Sequence, residues 1–454
     1  MNRKSIRIGV CAKWMMGALA LAIASMSYAS SNTLVGGGSI LPAIGYVGDS
    51  TSNPVYPAGS GSLFGVYSAQ TGNPSVSYCR TTDGIALEVF DGGSIGTQGT
   101  VNVQGTCPNL GFGAKTVGRT DLTQPNYVSL DTSLSATDFS NYQAGHGSSD
   151  YPTQFPALAA AIAIAFNLTD SEGNKVTSSE VNFTDAQLCS IFDGTVTNWD
   201  ATSLASAFTL PAGDSIPSEP INVQYRSEGN GTTFSLSNHL AYACGEIDST
   251  YFETSQSFTT VVSNFEATIP SNWTGSSGNA AVANAVANTA NSIGYVETAN
   301  ALVTNPGMQF ADVNSTSPTA NFGAALTITG SALVYNEVIS GTNSANGTAA
   351  IVALSNPPST QCIALVKPAN YAIPGSTGGI VPTGTYPIVA IAYLLANVEG
   401  NGSDLTNTRG LLESPYNSTI KSSVTTVGPE TGLAFLTLGT NAFTAADVGS
   451  CLVN

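Results

Sequence analysis

The sequence predicts an α/β protein, and three stretches decide it. "FPALAAAIAIAFNL" (155–168) is a continuous apolar run whose proline boundary and Ile/Phe content suggest a buried strand. "VNFTDAQLCSIFDG" (181–194) sets Thr184 three residues before Gln187, a capping-box pattern. Leu188, Ile191 and Phe192 then share a helix face, and Gly194 supplies the stop. "VQYRSEGNGTTFSLSNHLAYAC" (223–244) passes from a strand-like run through a loop of small residues into a helix-like run. Strands alternating with helices are the pattern of α/β folds.

Taken in order, residues 1–29 read as a secretory leader. They have a basic start (Arg3, Lys4, Arg7, Lys13), an apolar stretch over 14–23, and Ser27-Tyr28-Ala29 as a small-x-small site, so cleavage after Ala29 is expected. The alternative, a membrane anchor, has too short an apolar run for the roughly 20 residues of a spanning helix. No later run is long and apolar enough to span a bilayer, so an exported, soluble chain is expected. Residues 32–125 alternate short apolar runs with Gly/Ser/Asn/Pro turns and read as strands joined by loops. "NAAVANAVANTANSIGYVE" (279–297) reads as an Ala-rich helix running into a strand at 292–297. "YPIVAIAYLLANV" (386–398) reads as a strand-to-helix segment, and the C-terminal stretch is short and mixed. No repeat period is visible, and the N-x-S/T matches reflect an Asn/Ser/Thr-rich composition.

The 425 residues after Ala29 exceed one ordinary core and suit two or three lobes. Four of the 12 Lys+Arg lie in the leader, leaving eight against 29 Asp+Glu. So acidic a surface repels nucleic acid and anionic membranes, which excludes those partners. Beyond Cys11 there are six cysteines: Cys79, Cys107, Cys189, Cys244, Cys362 and Cys451. An even count in an exported chain suggests three disulfides out of fifteen possible pairings. Sequence proximity suggests Cys79–Cys107, Cys189–Cys244 and Cys362–Cys451; six free buried thiols are the alternative. No CxxC pair occurs, and neither His146 nor His239 has a neighbour at metal-ligand spacing, so no metal or other cofactor is expected.

The chemistry points to "YRSEGNGTTF" (225–234). Gly229 and Gly231 let backbone amides approach a ligand, Thr232 and Thr233 offer hydroxyls, and a helix start supplies unpaired N–H groups. Arg226 adds a bidentate fork for a phosphate or carboxylate, with Glu228 placed to hold it. The plainer reading is a strand–turn–helix junction with a surface arginine.

The chain resembles the periplasmic phosphate-binding proteins of ABC transporters, including the DING group. The resemblance rests on "GGGSILPA", "SYCRTTDG", "GRTDLT", "FTDAQLCSIFDGTVTNW", "VQYRSEGNGTTF", "NSIGYVE" and "YPIVAIAYLL", which occur in the family's order over most of the chain after the leader. It implies a two-lobed periplasmic-binding-protein fold (type II) that closes on one dehydrated phosphate. Residues 30–150 would open lobe 1, 151–290 form lobe 2, and 291–454 return to lobe 1. By the resemblance, Arg226 is the cationic clamp and Glu228 its partner, where aspartate is usual. Asn230, Gly231 and Thr232 form the second-lobe loop, with Asn230 in place of serine. Asp121 falls on the aspartate that accepts the proton of hydrogen phosphate, and Ile40 and Leu41 offer backbone amides. Ile40 replaces a threonine hydroxyl. Around Thr82 and Asp83 the family has a glycine/serine loop; Thr82 is the expected donor there, because an ionised Asp83 would repel phosphate.

Phosphate capture is the implied function, for an ABC permease or as a secreted scavenger, by a monomer free of a lipid anchor. The alternatives are a DING-type phosphatase, although no G-x-S-x-G elbow or Ser/His/Asp arrangement is evident, and a surface or matrix protein whose site has decayed, which Ile40 and Asn230 favour.

Overall fold

The glycine-rich strand Leu34–Ser39 (β1) pairs in parallel with Val76–Thr81 (β2) on one side and Tyr127–Leu130 (β3) on the other. Close backbone approach explains the glycines. A Cβ on Gly38, whose φ is +138°, would lie 1.9 Å from the Ser129 carbonyl oxygen. This computed structural model describes residues 33–48, 52–92, 107, 111–266, 268–323 and 326–454, so the expected leader lies outside the described residues.

The other principal strands are Pro152–Asn167 (β4), Asn222–Arg226 (β5), Thr274–Ser276 (β6), Ser292–Glu297 (β7), Val389–Asn397 (β8) and Leu433–Leu438 (β9). The sheet runs β2-β1-β3-β8-β4-β7-β5-β6. β4 is its pivot. Its first part pairs antiparallel with β8 as far as Ala161, and from Ile162 onward it pairs with β7. One continuous strand therefore carries both halves of the sheet, and the halves form two lobes. Every residue of β4 but the last is buried, which explains an apolar run without alternation. Pro156 is tolerated within it because the pairing register shifts beside Ala157, freeing the position from the regular ladder.

Two expectations need correction. β8 is extended over all nine residues, with no helix in the 386–398 segment. It lies between β3 and β4 and is buried throughout, so its sequence lacks the two-residue alternation that would mark a strand. The expected return to the first lobe at residue 291 also fails for 292–297. β7 pairs with the later part of β4 and in parallel with β5, placing it in the second half. The chain rejoins the first half by Leu326–Ile328, which pairs with β9, itself bonded to β4 at Ala160.

The helices that matter for the site are Asp83–Asp91 (α1), Ala136–His146 (α2), Asp185–Phe192 (α3), Gly231–Ala243 (α4), Asn279–Asn288 (α5) and Thr298–Thr304 (α6). α3 begins with the expected capping box: Thr184 accepts from the Gln187 amide, and the Gln187 side chain accepts from the Thr184 amide. His239 on α4 is buried and satisfied. Nδ1 donates to the Ala372 carbonyl at 2.8 Å, and Nε2 lies 3.0 Å from Asp185 Oδ1. Disulfides join Cys79–Cys107, Cys189–Cys244 and Cys362–Cys451, with Cα–Cα distances of 6.0, 5.8 and 5.6 Å. This is the pairing suggested by proximity. Among the described residues no helix is long and apolar enough to cross a membrane.

Candidate anion-binding site

Ligands of open α/β sheets bind beyond the carboxyl ends of parallel strands, and here the parallel strands of the two halves run in opposite directions toward the crossing in β4. β1 ends beside Ile40, β2 beside Thr82 and Asp83, and β3 beside Asp131. β5 ends at Arg226 and β7 at Glu297.

Arg226 is only 4% exposed, although it is one of the chain's few cations. Glu228 grips one side of its guanidinium: Oε1 lies 2.7 Å from Nε and 2.5 Å from Nη2. Glu228 is itself fixed by the Gly278 amide at 2.9 Å. The Nη1 side is turned to Glu297 Oε1 at 3.2 Å and Thr232 Oγ1 at 3.3 Å. Burial lowers the Arg226 pKa, but Glu297 and Glu228 outweigh it and hold the group above its ordinary value. Glu297 is pushed up by burial, with Arg226 opposing the shift and Asp131 adding to it. The backbone of Arg226 is anchored too, its N–H donating to the Tyr295 hydroxyl at 3.1 Å.

The start of α4 faces this pair. Asn230 is its N-cap, accepting from the Thr233 amide at 2.8 Å and donating to the Glu228 carbonyl at 2.8 Å. Its side chain thus serves the helix. Thr232 Oγ1 donates to Glu297 Oε1 at 2.9 Å. The Gly231 amide donates across the cleft to Asp131 Oδ1 at 3.0 Å. A Cβ on Gly231 would sit 2.0 Å from that oxygen, so only glycine permits the approach. Arg226, Thr232 and the Gly231 amide therefore form a donor cradle that already holds carboxylate oxygens.

From the first lobe, Ile40 reaches the cleft through its carbonyl, which accepts from Asn300 Nδ2 at 2.8 Å. The same nitrogen donates to Glu297 Oε2 at 3.2 Å. The Leu41 amide is taken by Ser39 Oγ at 3.2 Å. Thr82 caps α1, accepting from the Ile85 amide at 3.4 Å. Asp83 beside it is buried and accepts from the Asp131 amide at 3.0 Å and 3.3 Å through its two oxygens.

Asp121 does not join this group. Its side chain is 59% exposed and pairs with Arg119 at 2.8 Å; Arg119 in turn binds the buried Asp404 at 2.6 Å and the Thr33 carbonyl. Arg119 holds the Asp121 carboxyl below the usual carboxylate range. "GRTDLT" is thus a structural lock, because its aspartate has an arginine two residues away and lies before β3 begins. The residue at the cleft is Asp131, one position past β3. Asp131, Glu297 and Asn300 are absent from the motif-based set. Position at or just beyond a strand's carboxyl end is the signal that finds the first two.

A family model described as a PBP superfamily domain matches residues 67–406, well over half of the chain. The chain belongs to this superfamily. It is 28% identical over 314 residues to a Pseudomonas aeruginosa protein named "Alkaline phosphatase L", covering 68% of each chain. It is 32% identical over 178 residues to a "Phosphate-binding protein PstS" of Xylella fastidiosa, covering 39% of this chain and 41% of that one. A solved structure titled as a phosphate-binding protein from Stenotrophomonas maltophilia superposes with a TM-score of 0.54 at 22% identity, covering 90% and 91% of the two chains. The superposition identifies the superfamily member's fold as the two-lobed periplasmic-binding-protein type.

Proposed function

We propose that the protein captures inorganic phosphate in the cleft between its lobes, outside the cytoplasm, for an ABC-type permease or for scavenging. The observation that carries this reading is the donor cradle of Arg226, the Gly231 amide and the Thr232 hydroxyl at the start of a 13-residue helix. Relatives named as phosphate-binding proteins support it.

In this reading phosphate takes the Gly231 amide that Asp131 now occupies, and Asp131 lies alongside as acceptor for the ligand's proton. The role expected of Asp121 passes to Asp131. The formal charge of −17 opposes anion entry, but charges beyond roughly 8 Å are screened at physiological salt, whereas charge-assisted hydrogen bonds act at about 2.8 Å. The local donors decide the outcome.

A second reading, phosphomonoester hydrolysis, is favoured by the relative named "Alkaline phosphatase L". One experiment separates the two. Equilibrium dialysis with labelled phosphate is expected to show one saturable site, while p-nitrophenyl phosphate remains intact. Hydrolysis lost on Arg226→Lys substitution would establish the enzyme; absence of saturable binding would overturn phosphate capture.

A further inference from the structure

We propose that Asp83 takes up a proton from solvent as phosphate enters the cleft, so that capture is proton-coupled and favoured in acid. This rests on the phosphate reading of the site.

The case begins with a tally of charge. Three carboxyl groups, Asp131, Glu228 and Glu297, act on one guanidinium, and a fourth, Asp83, faces Asp131 and Glu297. Glu228 and Glu297 are engaged by Arg226, and Asp131 by the amide at the positive end of α4. Among the described residues no cation engages Asp83. Its oxygens accept the Asp131 backbone amide, and the Asp131 charge acts on its carboxyl. The two side chains are 6% and 5% exposed, so water does little to separate their charges.

Among the described residues, the other groups facing Asp83 bring no positive charge. Glu297 at the end of β7 adds to the repulsion, and Tyr78 on β2 is a buried phenol. Arg226 acts electrostatically on Asp131. On α2, which packs against α1, Asp138 and His146 face Asp91 and Phe90 at the opposite end of α1. Burial first, then the Asp131 charge, hold the Asp83 carboxyl well above the usual carboxylate range. An anion against the Gly231 amide adds more negative charge nearby. A proton on Asp83 removes that repulsion and converts an acceptor oxygen into a donor.

The sign follows from linkage. Below the pKa of Asp83 in the free protein the group is already protonated, and affinity is unaffected by it. Above that pKa, binding must recruit a proton, and affinity falls as pH rises until the pKa of the complex is passed.

The test is calorimetric titration of inorganic phosphate into the wild-type chain, Asp83→Asn and Asp83→Ser across the acid-to-alkaline range, in buffers of differing ionisation heat. All three chains meet the same phosphate, so its own ionisation cancels in the ratio of their affinities. The wild-type affinity relative to Asp83→Asn should be constant in acid, then fall by up to about tenfold per pH unit, with up to one extra proton taken up. Asp83→Ser, which keeps a donor without a carboxyl, should follow Asp83→Asn and serves if that variant does not fold. Phosphate binding with a ratio independent of pH overturns the proton coupling alone. Failure of every chain to bind phosphate at any pH overturns the phosphate reading and this proposal together.

Discussion

Asp121 and Asp131 show what a motif can and cannot locate. Both are aspartates flanking β3, and only the one after the strand reaches the cleft. Nothing in local composition separates them; the strand direction does. Arg226, Gly231 and Thr232 were legible because a rare arginine precedes glycines and a helix start, which is a local pattern. Glu297 and Asn300 were not, since their part depends on contacts with Arg226 and Ile40 made across 71 and 260 residues of chain. If Asp131 receives the proton of hydrogen phosphate, Asp131→Asn should narrow the preference for phosphate over sulfate. An amide donates to either anion, whereas a carboxylate opposes the fully ionised one. Competition titration checks this, and Asp121→Asn should leave the preference unchanged.

At the scale of the element, strand–loop–helix units were readable wherever caps and periodicity agreed. The Thr184 capping box and the 279–297 helix-to-strand passage are examples. Central strands were harder. β4 and β8 are both buried on two faces, so neither alternates; a proline marked one correctly as a strand, and the other resembled a helix. At the site, β5 and β7 pair in parallel and deliver Arg226 and Glu297 side by side. The Thr184 cap of α3 bonds none of the cradle's residues. Thr184→Ala should cost about 1 kcal/mol of stability, read from urea unfolding, with phosphate affinity unchanged.

Across the whole molecule, buried carboxyls set the pH response. Burial first, then Asp138, push Asp91 up from 3.8 to about 7, and burial also raises Asp83, Glu297, Asp312 and Glu413. A raised folded-state pKa means that the native chain binds more protons than the unfolded one. For Asp91 stability is therefore full below about 3.8 and is lost as pH rises toward 7. Asp121 and Asp185 are depressed and act in the opposite direction, losing stability as pH falls below the usual carboxylate range. Thermal melts should give a higher Tm at mildly acidic than at mildly alkaline pH, and Asp91→Asn should shrink the difference. A higher alkaline Tm would contradict the assignment. Chain length suggested two or three lobes, but where they divide was not legible, because β4 is shared between lobes and no composition shift marks the crossing at Ala161 and Ile162.

The central claim is that the cradle at the start of α4 holds phosphate. Arg226→Ala is a poor test, since it would also leave Glu297 buried without its counterion. Thr232→Val removes one hydroxyl from the cradle and keeps its volume. Isothermal titration of phosphate into both chains is the direct measurement. A single wild-type site whose affinity drops by about 1.5–3 kcal/mol in Thr232→Val is the predicted result. Equal phosphate affinity in the two folded chains would contradict it.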